Sequence, residues 1–572
     1  MKRILLTGGV LLAALVSGAC TKRHPAPPPP QAAICVPPAT SGGVPATAAL
    51  WAQGAQLFGG LGTYHRRVGT PSDLAQQYFD QGLRCLWAFN HDEATRSFAK
   101  AAQLDPACAL CWWGVSLTVG PNYNVPVMAQ PRARVARGAL EQAQRHAAGA
   151  SAVEQALIAA LARRYPDDKP LDPSNSAPIL NAYAQAMREV AQKFPDDDDV
   201  QTLYAEALMN TNAWKLWTLD GRPAPGTAEI QAALEQVLAR NPAHPGANHY
   251  YIHAMEASPH PEKALAAAQR LAGMMPAAGH LEHMPAHIMQ RVGRYEDAAE
   301  ANRKGVAADL AYYARTRPLD YYAMYTAHNY QFLAYSAAME GRKTETLEAT
   351  LQLRTLLPDE MLLNMPGADW YLGERYAALL RFGLWDQMLA EPAPNPRLAA
   401  LGGSYAYART AALAAKGRLD EAKAQLATLE QLAAKLPPDA PAGLNSAHDV
   451  LALAVLDDRA RLALAEGGQA EALELLRQAA QLEDRLAYDE PADWFLPVRH
   501  LLGAELLKAG AAAEAEAVYR ADLARHPDNG WALYGLAQAL KQQKKTAQAA
   551  AARRRFDEAW KKADISLSAS AL

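Results

Sequence analysis

The feature that most constrains the fold is a helix-turn-helix pattern that begins at Tyr78 and ends at Pro106. Apolar and small residues recur three and four positions apart through it, as on one face of a helix. Gly82 and Ala94 are small enough to let two helices approach closely, and Phe98 is placed to fill the space between units. Pro106 ends the second helix, because proline lacks the donor N–H and its ring clashes within a helix. One hairpin cannot cover its own apolar face, so the pattern predicts a stack of hairpins.

The same pattern returns along the chain. A glycine turn followed by the start of a second helix recurs at Gly293, Gly341, Gly383 and Gly417. Pro242 and Pro276, which close two successive hairpins, are 34 residues apart. The pattern resembles the tetratricopeptide repeat, a helix-turn-helix unit of 34 residues. The resemblance covers most of residues 50–562 and implies an all-α fold, an α-solenoid of stacked helical hairpins.

Two segments interrupt the repeat pattern, and the pattern divides the rest of the folded chain into three parts. Two irregular insertions are predicted: residues 121–173, which contain the end of a loop and a helical hairpin of longer period, and residues 212–226, which form a loop. Loops on repeat arrays often lie on the binding face. The predicted organisation of the remaining chain is an N-terminal array with histidine-rich units over residues 49–310, a C-terminal array over 311–545, and a capping helix with its tail over 546–572.

The first residues are typical of an export signal. Residues 1–19 combine a basic start, an apolar run and small residues before Cys20. The apolar run is too short to span a bilayer permanently. The segment resembles a bacterial lipoprotein signal, which implies lipidation of Cys20. Ser17 stands where that motif usually has an aliphatic residue, and ordinary cleavage after Ala19 would cut the same bond without lipid.

Residues 20–48 form a proline-rich linker, which predicts a semi-stiff, solvated spacer between a membrane surface and the folded body. The residue after Cys20 is not aspartate, and by resemblance to lipoprotein sorting this implies the outer membrane. We therefore expect a cell-envelope protein on the periplasmic side, held at the outer membrane by its N-terminal lipid.

Four cysteines remain besides Cys20: Cys35, Cys85, Cys108 and Cys111. Export would place them in an oxidising compartment, where an even number permits disulfides. The Cys108–Cys111 pair lacks both the histidine of a haem-attachment motif and the second cysteine pair of a structural zinc site. We expect a disulfide that involves Cys85, with plain buried thiols as the alternative.

The chain concentrates its histidines in one region. It has 15 histidines and a net charge of -3, and seven of the histidines fall within residues 248–328, where composition alone predicts about two. The net charge gives no electrostatic footprint for nucleic acid. Counted from the proline and glycine turns, six histidines fall at positions that, by resemblance to the repeat class, line the concave groove: His249, His253, His280, His283, His287 and His328.

These six histidines are candidate metal ligands. Residues four apart in a helix lie one turn apart on one face, so each of two i,i+4 pairs can present two imidazoles to one ion. The predicted cofactor is a transition metal, with zinc, copper and iron all suited to imidazole. Pro285 predicts that one helix begins near Met284, which would leave His280 and His283 in the preceding loop. Glu206 and Glu256 also fall at inward positions and are candidate ligands, orienting groups or a general base.

The sequence is compatible with three hypotheses for the histidine cluster. The first is an exported metal-binding solenoid, which includes a metal-dependent enzyme, although the sequence shows no phosphate loop, nucleophile elbow or zinc-protease motif. In the second, the histidines are hydrogen-bonded groove residues of a non-catalytic scaffold that binds a peptide or protein partner. The third is a pH-responsive groove for an anionic ligand.

Overall fold

The computed structural model of the protein describes residues 43–172, 174–316, 318 and 322–572. The predicted signal peptide, Cys20, Cys35 and most of the proline-rich linker lie outside the described residues.

Helices account for most of the described chain. Those of the first half are α1 (Ala48–Trp51), α2 (Asp73–Trp87), α3 (His91–Leu104), α4 (Ala109–Thr118), α5 (Gln130–His146), α6 (Ala152–Arg164), α7 (Ser176–Lys193), α8 (Asp198–Met209), α9 (Thr227–Arg240), α10 (Pro245–Met255), α11 (Leu265–Leu271), α12 (Gly279–His283), α13 (Pro285–Arg291) and α14 (Tyr295–Arg315). Those of the second half are α15 (Tyr322–Met339), α16 (Lys343–Leu356), α17 (Asp359–Leu362), α18 (Glu374–Arg381), α19 (Trp385–Ala390), α20 (Ala399–Ala415), α21 (Leu419–Lys435), α22 (Ala447–Ala465), α23 (Gln469–Glu483), α24 (Val498–Lys508), α25 (Ala512–Arg525), α26 (Gly530–Gln542) and α27 (Thr546–Ala559).

Short elements complete the described chain. Short 3-10 helices occur at Ala147–Gly149, Asn210–Asn212, Pro261–Ala264 and Ala368–Gly373. Two two-residue strands, β1 (Pro441–Ala442) and β2 (Asn445–Ser446), pair antiparallel with Pro441 opposite Ser446. Successive helices pack against each other in sequence order, so the predicted all-α stack of helical hairpins is confirmed.

The glycines of the repeat pattern serve close helix contacts. A Cβ added at Gly82 would come within 2.8 Å of the Phe98 ring, and one added at Gly114 in the next hairpin within 2.5 Å of the same ring. A Cβ added at Gly503 or at Gly535 would likewise clash with the ring of Tyr519. One aromatic ring therefore fits between the glycines of two consecutive units, at both ends of the stack.

The stack coils back on itself. Near its start, Tyr312 on α14 donates a hydrogen bond of 3.0 Å to the buried carboxylate of Glu93 on α3. Near its end, the Trp531 indole on α26 donates to the carbonyl of Ala338 on α15 at 2.7 Å. Units far apart in sequence thus cover both sides of α10–α15, which buries the region that holds the histidines.

The first predicted insertion is mostly a helical hairpin in the structure, and the second is a loop. The first contains an extended loop before α5, the hairpin of α5 and α6, and an isolated bridge between Met128 and Leu171. The second is a loop closed by a bridge between Trp217 and Pro223. The Trp217 indole donates to the carbonyl of Ala254 at 2.7 Å and so holds this loop against the end of α10.

The prediction that Cys85 takes part in a disulfide is wrong. Cys85 is a buried free thiol on α2, while Cys108 and Cys111 are joined by a disulfide. Cys108 is the N-cap of α4 and Cys111 lies in its first turn, so their Cα atoms are 5.3 Å apart, within the range of a disulfide.

Across residues 43–172, 174–316, 318 and 322–572, the chain contains no helix with the length and apolar character needed to cross a bilayer.

Candidate metal centre

Helix α10 places two histidines on one face. The His244 ring caps its N-terminus by accepting the backbone N–H of Ala247 at 3.1 Å, and Pro245 occupies the first helical position, where no backbone donor is needed. His249 and His253 follow one turn apart. Both side chains are buried.

The segment around Pro285 differs from the sequence prediction. His280 and His283 lie on the short helix α12, not in a loop, and Pro285 is the first residue of α13. The N–H of Met284 still donates to the carbonyl of His280 at 3.0 Å, so the chain keeps a helical course through Met284. Proline is tolerated because it opens the second helix. His283 and His287 therefore face each other, with their Nε2 atoms 2.9 Å apart.

The six predicted histidines form two adjacent groups of three. The first triad is His249, His253 and His280, and the second triad is His283, His287 and His328. Within each triad, one potential ligand atom per residue lies within 4.8 Å of the others. The triads touch through His253 and His287, and through His280 and His283, with ring centroids 5.8 Å apart in both pairs.

In the first triad, oxygen acceptors fix the proton on Nδ1. His249 donates through Nδ1 to the carbonyl of Trp87 at 2.6 Å, and His253 through Nδ1 to Glu256 at 2.8 Å. A carbonyl or carboxylate oxygen only accepts, so each neutral ring carries its lone pair on Nε2. The Nε2 of His253 is buried without a hydrogen-bond partner, and that of His249 lies 3.1 Å from the Nε2 of His280.

The second triad repeats this arrangement. His283 donates through Nδ1 to Oδ1 of Asn302 at 2.7 Å, and the Asn302 amide N–H2 donates to the carbonyl of Ala298, which fixes the oxygen as the acceptor. Nδ1 of His287 lies 2.5 Å from Oε2 of Glu256. The Nε2 atoms of these two rings point at each other, 2.9 Å apart. His328 is partly exposed, and its ring centroid lies 4.9 Å from that of His283.

A second carboxylate, which the sequence did not predict, joins the site. Oε2 of Glu490 lies 3.1 Å from Nδ1 of His287, and Glu256, His287 and Glu490 form a third group of possible ligands. Glu490 lies in the loop between α23 and α24, more than 150 residues from the histidines in sequence. The run Asp489-Glu490-Pro491 is its only sequence signal, and no repeat position relates it to the cluster.

Burial and neighbouring charges set the protonation of the site. Burial lowers the pKa values of His249, His280 and His283, and neighbouring histidines add to the effect. Burial also acts to lower the pKa of His287, but Glu256 and Glu490 outweigh it and raise that pKa. Burial acts to raise the pKa of Glu256, and the adjacent His287 and His253 lower it. Neutral imidazole is the form that binds metals, while His287 and Glu256 form an ion pair.

Aromatic rings enclose the cluster. The Phe89 ring lies 4.5 Å from that of His249, and the Phe332 ring lies 4.6 Å from that of His287. Tyr123 from the first insertion and Trp214 from the second lie 5.3 and 5.7 Å from the ring of His253. Both insertions therefore shield this histidine from solvent, and such an apolar shell controls access to a metal site.

A cavity of about 370 Å³ opens on the cluster. His253 and His280 of the first triad line it, as do His287 and His328 of the second. Apolar and aromatic residues form most of the remaining wall, among them Met324, Tyr325, Met365, Tyr371 and Leu444.

The two predicted glutamates lie in different surroundings. Glu256 bridges His253 and His287. Glu206 is buried on α8, belongs to neither triad, and accepts a hydrogen bond of 2.5 Å from the Asn210 amide. Burial raises the pKa of Glu206, with the Arg164 guanidinium opposing it. The structure thus brings Glu256 to the histidines, whereas Glu206 belongs to a separate polar network.

The short distances between ring nitrogens limit what occupies the site. Two imidazole nitrogens bound to one tetrahedral ion at about 2.0–2.1 Å lie about 3.3 Å apart. The Nε2 pairs at 3.1 and 2.9 Å are close to that value. Two lone pairs facing each other repel, so a proton or a metal ion must lie between His283 and His287. A protonated His287 that donates to His283 satisfies that pair without metal, but leaves Nε2 of His253 without a partner.

Comparison with known proteins adds little to this geometry. No protein-family model matches the chain, and no curated protein matches it. Solved structures similar to it include a human IFIT1 dimer with m7Gppp-AAAA, at 11% identity over 86% of this chain and 91% of that chain, with a TM-score of 0.31. Another is a human IFIT1 dimer with PPP-AAAA, at 12% identity, 86% and 95% coverage and a TM-score of 0.34. A third is the P58(IPK) TPR domain, at 10% identity, 82% and 99% coverage and a TM-score of 0.20. TM-scores this low support no conclusion about a shared superhelix or ligand.

By its own geometry, the protein is an all-α stack of helical hairpins with a buried histidine cluster.

Proposed function

We propose that this protein binds a transition metal through the histidine cluster at its centre. The observation that carries the proposal is the common state of three buried rings: His249, His253 and His283. Each donates through Nδ1 to an oxygen acceptor and leaves Nε2 toward the cluster. Metal-binding histidines are oriented in this way, because the outer hydrogen bond fixes the tautomer and makes Nε2 the ligand.

The donor set favours zinc, copper or iron. Imidazole suits all three, and the additional donors at the site are carboxylates, not thiolates. Three protein ligands per ion leave a position open for water or substrate, as in catalytic zinc sites. A metal-dependent enzyme is therefore within the proposal, with Glu256 orienting His253 and His287.

Metal analysis of protein purified without an affinity tag, before and after chelation, tests the proposal. We expect near-stoichiometric metal that the double variant His253→Ala, His287→Ala does not retain. A matched control is His448→Ala, because the His448 side chain is about half exposed on α22, far in sequence from the cluster. Equal and negligible metal in the wild type and the double variant contradicts the proposal.

A second candidate function is that of a scaffold for a peptide or protein partner. A cavity of about 740 Å³ favours it, since the second insertion lines one side with Trp214, Trp217 and Leu219, and the loop after α23 lines the other. If the protein is a scaffold, the metal-free double variant should still bind the partner. Substitutions in the cavity wall such as Trp217→Ala should weaken that binding.

We also propose that the protein is exported and held at the outer membrane through lipid on Cys20, with residues 20–48 as the spacer. The basis is the sequence of residues 1–48 alone. Metabolic labelling with a fatty acid tests it: the expected label is lost in Cys20→Ser, and an unlabelled wild type contradicts lipidation.

A further inference from the structure

We infer that the cluster is a dinuclear centre in which each triad binds one metal ion and both ions face the same cavity. The inference rests on the proposed function and goes beyond it by assigning the number of ions, their ligands and the class of molecule that binds between them.

The partition of the donors supports two ions. The six histidines fall into two groups of three, and nitrogen–nitrogen distances of 3.1 Å and 2.9 Å lie within the first and the second triad. Between the triads, the two contacting ring pairs have centroids 5.8 Å apart, whereas the closest pairs within the triads have centroids 4.9 Å and 4.8 Å apart. Each triad is thus a complete set of three imidazoles, the number that leaves an ion with an open coordination position.

The hydrogen bonds that hold the Nδ1 atoms of the histidines also differ between the two triads. His249 and His253 of the first triad have separate acceptors, the Trp87 carbonyl and Glu256. His283 of the second triad donates to a different acceptor, Oδ1 of Asn302. Glu256 contacts both triads, because its Oε1 accepts a hydrogen bond from His253 and its Oε2 lies 2.5 Å from Nδ1 of His287. Two separately oriented sites joined by one carboxylate are therefore built into the chain.

The cavity indicates what the two ions share. Two histidines of each triad line its wall, so the open positions of both ions face one space. In two-metal sites the ions lie about 3.5–4 Å apart and hold one small oxygen ligand between them. We assign the inner end of the cavity to such a ligand, water-derived hydroxide or dioxygen. The apolar wall beyond it suits the carbon skeleton of an organic substrate.

The charge of the site is consistent with this assignment. Glu256 and Glu490 are both buried against the cluster and supply negative charge beside His287. Buried ions require such compensation, because a low-dielectric interior penalises unpaired charge. An anion bound between the two ions would supply the rest of the negative charge.

A titration that counts ions tests the inference. The full chain, purified without a tag and stripped with a chelator, is titrated with Zn²⁺ in the presence of a competing chelator that suppresses weak surface sites. We expect two equivalents in the wild type, one in His280→Gln of the first triad and one in His328→Gln of the second. The matched control His448→Gln keeps two equivalents, because that residue lies outside the cluster.

The outcomes separate the inference from the proposed function. A wild type that binds one equivalent overturns the dinuclear centre and leaves the proposed metal binding intact. A wild type that binds none overturns both. Loss of all metal in either single variant, with the helical circular dichroism spectrum unchanged, shows that the triads are not two sites and also overturns the inference.

A measurement on the wild type avoids any dependence on variant folding. Two copper(II) ions joined by a small bridging ligand couple magnetically, whereas isolated ions do not. We expect the copper-loaded protein to give an electron paramagnetic resonance signal well below its copper content. A signal that accounts for all the copper as isolated ions contradicts the shared bridging ligand and overturns the inference.

Discussion

Nδ1 of His287 lies 2.5 Å from Oε2 of Glu256, and the other oxygen of this carboxylate accepts a hydrogen bond of 2.8 Å from Nδ1 of His253. One buried carboxylate therefore orients a histidine from each triad. His253 lies on α10 and Glu256 is the C-cap residue of that helix, while His287 lies on α13, so the ion pair also fixes two neighbouring hairpins at the centre of the site.

Glu256→Gln should weaken metal binding without removing a histidine. A glutamine cannot accept a hydrogen bond from both rings, so one imidazole loses its orientation. Loss of such an outer partner typically lowers metal affinity by about 10–100-fold. The matched control is Glu206→Gln, which removes another buried carboxylate that belongs to neither triad. Competition titration with a chromogenic chelator measures both, and an equal loss of affinity in the two variants contradicts the orienting role of Glu256.

Asn302 should matter as an acceptor for His283. Asn302→Leu removes the oxygen that holds the Nδ1 proton of His283, and we expect metal affinity to fall by about 10-fold or more. Asn302→Asp keeps an oxygen acceptor and should retain most of the affinity. If the aspartate variant loses as much affinity as the leucine variant at equal stability, packing at this position is the cause and the assigned tautomer of His283 is wrong.

The glycine contacts of the repeat predict opposite effects for two similar substitutions. Gly503→Ala drives a Cβ into the Tyr519 ring and should lower the free energy of unfolding by about 1–3 kcal/mol. Gly138→Ala is the matched change on the exposed face of α5, where nothing lies within 4 Å, and should raise it by about 0.5–1 kcal/mol. Chemical denaturation measures both, and a Gly503→Ala variant as stable as the wild type contradicts the close packing.

Stability should depend on pH through Asp309. Burial raises the pKa of this carboxyl to about 7, although Tyr322 and Asn329 donate to it. The folded state therefore keeps a proton that the unfolded state releases above pH of about 4. The resulting stabilisation is complete below that pH and is lost as pH rises through 7, at up to about 1.4 kcal/mol per pH unit. Relative to Asp309→Asn, the wild type should lose stability between pH 5 and pH 8. Parallel profiles for the two proteins contradict this.

The sequence was informative wherever local periodicity carried the signal. The spacing from Gly82 to Phe98 predicted the hairpin stack, and counting from Pro242 and Pro276 placed six histidines that do meet in space. Pro285 correctly predicted a helix start near Met284, but nothing predicted that His280 and His283 lie on a short helix, α12, directly before it. That depends on where one helix ends, which is weakly encoded when proline is tolerated in a first turn.

The remainder of the site depends on tertiary contacts. Glu490 reaches His287 only because the stack coils back so that the loop after α23 covers α13. No repeat position encodes such a contact. Cys85 was wrongly expected in a disulfide because its distance from other thiols depends on packing, while Cys108 and Cys111 are joined through the local geometry of one helix turn.

The most direct test of the central claim is an anomalous difference map from crystals of tag-free protein loaded with zinc or copper. The account predicts strong peaks about 2.0–2.2 Å from ring nitrogens of the cluster, with His253 and His287 among the ligands. The same protein with both residues changed to alanine should show no peak there. Peaks confined to surface histidines, with none within bonding distance of the cluster in the wild type, would contradict the account.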